Sequence, residues 1–266
     1  MQTQLETILA HTQSEVVERR RTADLRVLER QAAAHQPRGF EAALRRAAET
    51  GFAIIAELKK ASPSRGLIRT DFDPQALAHA LESGGAAALS VLTDAKYFQG
   101  SLQYLKQASA AVKVPCLRKD FMIDEFQVLE ARASHADAIL LIVAALTDDR
   151  LKSLRDAARL IELDVLCEVH DREELTRAVD LGFTMIGVNS RNLHTMQVQP
   201  KTQVELGALL PKSAVRVAES GLKTAADLTT MSAAGYTAFL IGESLMRDPD
   251  PAQTLSGLLK SEPALR

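Results

Sequence analysis

AILLIVAALTDDRLKSLRDAARLIELDVLCEVH, residues 138–170, contains one strand, one helix and the start of the next strand in full. Ala138 to Ala144 is apolar without polar alternation, as expected of a parallel strand covered on both faces. Thr147 followed by Asp148 and Asp149 opens a helix, with a hydroxyl for the first free amides and acids at the positive end of the dipole. Leu151, Leu154, Ala158 and Ile161 then recur at helical spacing, a stripe that lies on a sheet. Asp164 to Val169 is the next apolar run, and Asp171 with Glu174 reads as a capping-box-like pair before a second stripe of Leu175, Ala178, Val179 and Gly182.

The same rhythm continues both ways. Upstream runs are Ala53 to Leu58, Ala87 to Thr93 and Val114 to Lys119; downstream runs are Met185 to Ser190, Val215 to Ser220 and Ala238 to Glu243. Asp73 before Pro74 is another helix start, an N-cap with proline at the first helical position. Eight such units leave two α/β topologies, a closed (β/α)8 TIM barrel or an open doubly wound sheet. The unit count and the usual barrel length of ~250 residues favour the barrel. We expect one domain over residues 1–266, in which residues 1–50 form an additional N-terminal helical extension of one or two helices. The extension could cap the barrel, dock on a neighbouring subunit or help close the mouth, and the sequence leaves these open.

Composition narrows the function. The chain has 266 residues, 46% hydrophobic and 25% charged, an ordinary globular balance. Its 32 basic and 34 acidic residues leave a net charge of -2, so no electrostatic footprint for nucleic acid or an anionic membrane is expected and the partner is a small molecule. The longest apolar run, Ala138 to Leu146, is about half of the ~18 residues a spanning helix needs. The charged N-terminal stretch lacks the features of a secretory signal, which points to the cytoplasm. Cys116 and Cys167 lie far apart without metal-binding spacing and read as reduced structural thiols.

Barrels of this kind build their sites where the strands end. Those ends carry Glu57 and Lys59, Lys119, Glu168 and His170, Asn189 and Arg191, Glu219 and Ser220, and Gly242 and Glu243. Residues two apart share a strand face, so Glu57 points with Lys59, Leu117 with Lys119, Leu166 with Glu168, and Asn189 with Arg191. Ser190 alternates to the outer face. Burying such charges costs several kcal/mol each unless they pair, so a mouth crowded with them points to function rather than stability. A lysine facing a glutamate across the barrel makes a general acid and base. No histidine spacing suggests a metal set; His170, two residues after Glu168 on the same strand face, could enter the site but reads rather as a structural or supporting residue. Ser220-Gly221 and Gly242-Glu243, after the last two strands, stand where barrels bind phosphate. The long first loop, KASPSRGLIRT from Lys60 to Thr70, reads as a mobile lid with Ser62, Ser64 and Arg65 toward a ligand.

Read in order, IAELKKASPSRG (55–66), LRKDF (117–121), CEVH (167–170), IGVNSRNL (186–193), AESGL (218–222) and LIGESLM (240–246) resemble the indole-3-glycerol phosphate synthase family over essentially the whole chain. The resemblance implies a decarboxylating and dehydrating ring closure of 1-(2-carboxyphenylamino)-1-deoxyribulose 5-phosphate in tryptophan biosynthesis, without metal or organic cofactor. It implies Lys119 as the general acid and Glu168 as its base partner. Lys59 would bind substrate and share the acid steps, while Glu57, Asn189 and Glu219 position the lysines and the substrate hydroxyls. Ser62 and Arg191 fall at the carboxylate end, Phe121 against the aromatic ring, and Ser220, Gly221, Gly242 and Glu243 at the phosphate, Glu243 through its amide. Leu58 and Ser190 depart from the isoleucine and second asparagine frequent in the family. A phosphoribosylanthranilate isomerase would resemble a cysteine and aspartate pair where this chain has Glu57, Lys59 and Asn189, and an inert phosphate-binding barrel would lack the acid-base pair.

Overall fold

The computed structural model describes residues 3–191 and 197–260. Eight strands, β1 (Ala53–Leu58), β2 (Ala88–Leu92), β3 (Cys116–Lys119), β4 (Ala138–Ile142), β5 (Asp164–Val169), β6 (Met185–Asn189), β7 (Val215–Glu219) and β8 (Ala238–Ile241), close into a barrel. Every pairing is parallel, and β1 closes the ring by pairing with β2 on one side and β8 on the other. The expected closed barrel is therefore the observed one. Several strands are shorter than the apolar runs that announced them. Val143–Ala145 forms a 3-10 turn after β4, and β8 stops at Ile241, so that Glu243 opens a helix instead of ending the strand.

Three helices precede the barrel: α1 (Gln4–Thr22), α2 (Leu25–Ala34) and α3 (Phe40–Ala48). The expectation of one or two was too few. The long charged stretch breaks at Ala23, where the backbone turns extended, and Asp24 caps a new helix by accepting from the Val27 amide. Gly39, in the left-handed region at φ 74°, makes the turn into α3.

The crossover helices follow their sequence signals. Asp73 caps α4 (Pro74–Ser83), and α5 (Ala95–Phe98), α6 (Leu102–Ala111) and α7 (Glu125–Ala133) follow. Thr147 caps α8 (Asp148–Leu160), which buries Leu151, Leu154 and Ala158. In α9 (Arg172–Asp180), Leu175 and Ala178 are buried but Val179 is exposed. Asp171 caps α9 at the Glu174 amide, but Glu174 does not return the bond as a capping box would. Its carboxylate accepts instead from the His170 amide at 2.8 Å. Helices α10 (Pro200–Gly207), α11 (Ala225–Ala233), α12 (Glu243–Arg247) and α13 (Pro251–Lys260) complete the ring.

Two apolar clusters hold the fold. One lies between the strands' outer faces and the helices. The other fills the lower barrel with Ile55, Leu117, Leu166 and Val217, and Phe40 and Leu44 of α3 plug its N-terminal end. Each inward column thus runs from an apolar residue at the bottom to an ionisable one at the top: Ile55 to Glu57, Leu117 to Lys119, Leu166 to Glu168, Val217 to Glu219. The linker before α3 is tied down by Asp137, fully buried beside β4, which accepts from Arg38 Nε at 3.0 Å, the Arg38 amide at 2.8 Å and the Cys116 amide at 2.6 Å. Burial opposes ionisation of Asp137, but its hydrogen bonds from His35 and Arg38 hold it below the usual carboxylate range. Cys116 and Cys167 are free and buried, and burial pushes the Cys116 thiol up to about 12. Among the described residues no helix is long and apolar enough to cross a membrane.

Candidate active site

A cavity of about 430 Å³ opens at the C-terminal ends of the strands. It is lined by every residue that the resemblance assigned to the site: Glu57, Lys59, Lys119, Glu168 and Asn189; Ser62, Phe121, Arg191 and Glu219; Ser220, Gly221, Gly242 and Glu243. Asn192 and Leu193 of the sixth strand-end stretch, and His194, lie outside the described residues.

Lysines and carboxylates interlock at its floor. Lys59 Nζ donates to Glu57 Oε1 at 2.6 Å, as residues two apart on one strand face can. Lys119 Nζ lies 3.3 Å from Glu168 Oε2 and 3.5 Å from Glu219 Oε2. The three carboxylates are at most 4% exposed. Burial alone would lower the pKa of Lys119, yet Glu168, Glu219 and Glu57 around it hold it above that of an ordinary lysine. Burial also opposes charge on Glu57 and Glu168, but Lys59 and Lys119 lower the first, and Lys119 and His170 the second. Glu219 goes the other way, raised by burial and by the charge of Glu168.

Small residues give these groups room. Glu168 is opposite Gly187 in the β5–β6 register, and a Cβ at Gly187 would overlap the Glu219 carboxylate. One at Gly242 would overlap Glu57, so this glycine serves packing on β1 besides opening the rim. Ser220 and Gly221 turn the chain after β7 with φ of 69° and 79°, the region in which glycine is at ease. Ser190, turned from the cavity as expected, is buried, and its hydroxyl donates to the Ser220 carbonyl at 3.1 Å, fastening the sixth strand end to that turn. The Glu243 carboxylate is drawn to Arg247 at 3.1 Å and Arg65 at 3.3 Å, which leaves the rim to its backbone.

The first loop is more ordered than a plain lid. Ala61–Ser62 and Gly66–Leu67 pair antiparallel, and Arg69 anchors the loop's far end on the Asp248 carbonyl at 2.8 Å. His170 does not line the cavity; it sits behind Glu168 in the wall of a second cavity. Sequence reading missed Phe98, which lines the cavity with its ring 6.4 Å from that of Phe121, and Leu5 and Ile8, which bring α1 over the mouth. Phe98 follows a strand that ends without charge. Its one signal was Asp94, whose carboxylate caps the short helix α5. Among the described residues no group of three or more His, Cys, Asp or Glu side chains is arranged to hold a metal ion.

A closed barrel with two lysines and three buried carboxylates gathered at its C-terminal mouth defines a class: an enzyme barrel equipped for proton transfer. Residues 5–258 match the family model for indole-3-glycerol phosphate synthase. The chain is 55% identical over 259 residues to the indole-3-glycerol phosphate synthase of Koribacter versatilis, covering 97% of this chain and 100% of that one. It is 54% identical over 222 residues to the enzyme of the same name from Azospirillum brasilense, covering 83% and 85%. The chain belongs to the indole-3-glycerol phosphate synthase family. Among solved structures, thiamine phosphate pyrophosphorylase from Pyrococcus furiosus is similar in fold alone, with 15% identity, a TM-score of 0.59, and coverage of 78% of this chain and 93% of that one.

Proposed function

We propose that this chain closes the indole ring of 1-(2-carboxyphenylamino)-1-deoxyribulose 5-phosphate, releasing carbon dioxide and water to form indole-3-glycerol phosphate. Family membership supports the reaction, and the observation that carries the chemistry is the buried Lys119 held within 3.5 Å of both Glu168 and Glu219.

Ring closure needs a polarised electrophile. Lys119, kept charged by its carboxylates, gives its proton to the C2 oxygen as the aromatic carbon bearing the carboxylate attacks C2. Loss of carbon dioxide restores electrons to the ring. The former C2 oxygen takes a second proton and leaves as water, while Glu168 removes one proton from C1. Two protons go in and one comes out, a net uptake of one that balances the carboxylate lost as carbon dioxide. Lys59 and Lys119 divide the two acid steps. Glu57 and Asn189 orient the lysines and hydroxyls, and Glu219 supports Lys119.

The substrate has two anionic ends, and fixing both brings the reacting carbons into near-attack geometry. The phosphate rests on the amides of Ser220, Gly221, Gly242 and Glu243, and Ser62 and Arg191 take the carboxylate. Phe121, with Phe98 beside it, packs the aromatic ring. The chain acts as one domain over residues 1–266, with residues 1–50 its helical extension, in the cytoplasm, on a phosphorylated small molecule and without nucleic acid, membrane or cofactor.

The test is to add the substrate to purified protein without added metal and to follow indole fluorescence and carbon dioxide together. Both products should appear in step. Saturable binding with neither product would reduce the chain to a ligand-binding barrel.

A further inference from the structure

Three carboxylates, Glu57, Glu168 and Glu219, share the barrel floor with two lysines, Lys59 and Lys119. Glu57 takes Lys59 at 2.6 Å, which leaves Lys119 between Glu168 at 3.3 Å and Glu219 at 3.5 Å. Two buried carboxylates around one lysine repel each other, which raises the pKa of one of them and favours a proton on it. The two distances hardly differ, although of the two only Glu168 accepts a hydrogen bond from Lys119.

What separates them stands behind the barrel wall. His170, the first residue beyond β5, places Nε2 3.2 Å from Glu168 Oε1 and Nδ1 3.0 Å from Glu174 Oε2. Glu174 also accepts the His170 amide, so one carboxylate on α9 fixes both the ring and the backbone of the histidine. That second bond sets the ring's orientation toward Glu168. Glu219 has no such histidine: it is 1% exposed, and among the described residues its carboxyl meets only Lys119 at 3.5 Å and the Glu168 carboxylate.

We infer that His170, held by Glu174, is a positioning residue that decides which carboxylate serves as base: it keeps the negative charge on Glu168 and leaves the proton on Glu219. The inference rests on the reading of Glu168 as the base. The titration directions agree with the geometry. Burial opposes charge on both groups, but Lys119 and His170 reverse its effect on Glu168, whereas the charge of Glu168 reinforces it on Glu219. Glu57, with Lys59, faces the pair from β1, and the cavity behind His170 brings Glu6, Asp171, Glu173 and Glu205 as well as Arg172 and Arg177 to the same wall.

The full-length protein and its H170Q, E174Q, E168Q and E219Q variants test this by steady-state kinetics across pH and by infrared spectroscopy of buried carboxylic acids. With its second cation gone, Glu168 in H170Q holds a proton to higher pH. The acid limb of the kcat profile should therefore move upward, and kcat near that limb should fall roughly tenfold with KM little changed, less than the ~10²-fold loss of the base itself. E174Q should move the limb the same way by a smaller amount, which a residue serving only packing would not do. A protonated-carboxyl band in the wild type should vanish in E219Q, and in H170Q it should shift in frequency as the proton is shared with Glu168. A band that survives in E219Q, or an H170Q profile that overlays the wild type, overturns the inference. Should E168Q itself turn over normally, the base reading fails instead.

Discussion

In the proposed mechanism Lys119 serves as an acid, which it can do only while protonated, and its three carboxylate neighbours favour that form while making the site tightly interdependent. Lys119→Ala and Glu168→Gln should keep the circular dichroism of the parent and lose at least ~10²-fold in kcat, the usual consequence of a missing acid or base. Normal turnover by both purified variants would sink these roles. Gly187 offers a less direct probe. Its added Cβ in Gly187→Ala would overlap Glu219, so we expect a thermal midpoint lowered by overpacking worth ~1–3 kcal/mol and a reduced kcat, although the methyl touches no substrate. At this scale the sequence was readable wherever a two-residue period carried an apolar column up to a charge, as from Leu166 to Glu168. It was silent where a contact depended on a turn. Glu174 looked like a helix cap, and only the backbone path after Val169 sends it to His170.

Among the elements, the N-terminal helices divide two tasks that the sequence could not separate. α3 plugs the bottom of the barrel with Phe40 and Leu44, both fully buried, while α1 lays Leu5 and Ile8 over the mouth. Phe40→Ala should therefore cost about 3–5 kcal/mol in urea unfolding and leave kcat per folded molecule unchanged. Removing residues 1–22 should do the reverse, keeping a cooperative melt while raising KM several-fold. Apolar positions were visible only in the first helix, at Leu5, Ile8, Leu9, Val16 and Val17, and the number of helices was not. The break at Ala23 and Asp24 involves neither glycine nor proline, and the turn before α3 is anchored by an aspartate about a hundred residues away in the chain, Asp137 on Arg38.

For the molecule as a whole, buried charge makes stability a two-sided function of pH. Asp137, Glu57 and Glu168 are held below their ordinary values, so the stability they contribute is present above the unfolded-carboxylate range and is lost as pH falls through it and below. His170 has the opposite sign. Burial lowers it, but Glu168 and Glu174 push it up to about 10 from 6.5, so its contribution is complete below 6.5 and is lost as pH rises toward 10. Thermal midpoints of the wild type should decline across that alkaline window, and H170Q should decline less. Equal slopes would remove the histidine from the alkaline side. The barrel itself was legible because eight uninterrupted apolar runs admit few topologies, whereas the strand ends shifted by one or two residues wherever the next turn began early, as at Val143 and Glu243.

Closure of the ring between β1 and β8 also bears on how the protein is made. The first barrel strand emerges from the ribosome early and waits with one edge unsatisfied until the last has been translated. Glu57 takes its final packing against Gly242, a residue that follows the last strand of the barrel. A nascent chain that stops short of Gly242 lacks the residue on which Glu57 packs, and the exposed edge of β1 is then an unpaired strand edge of the kind that invites aggregation.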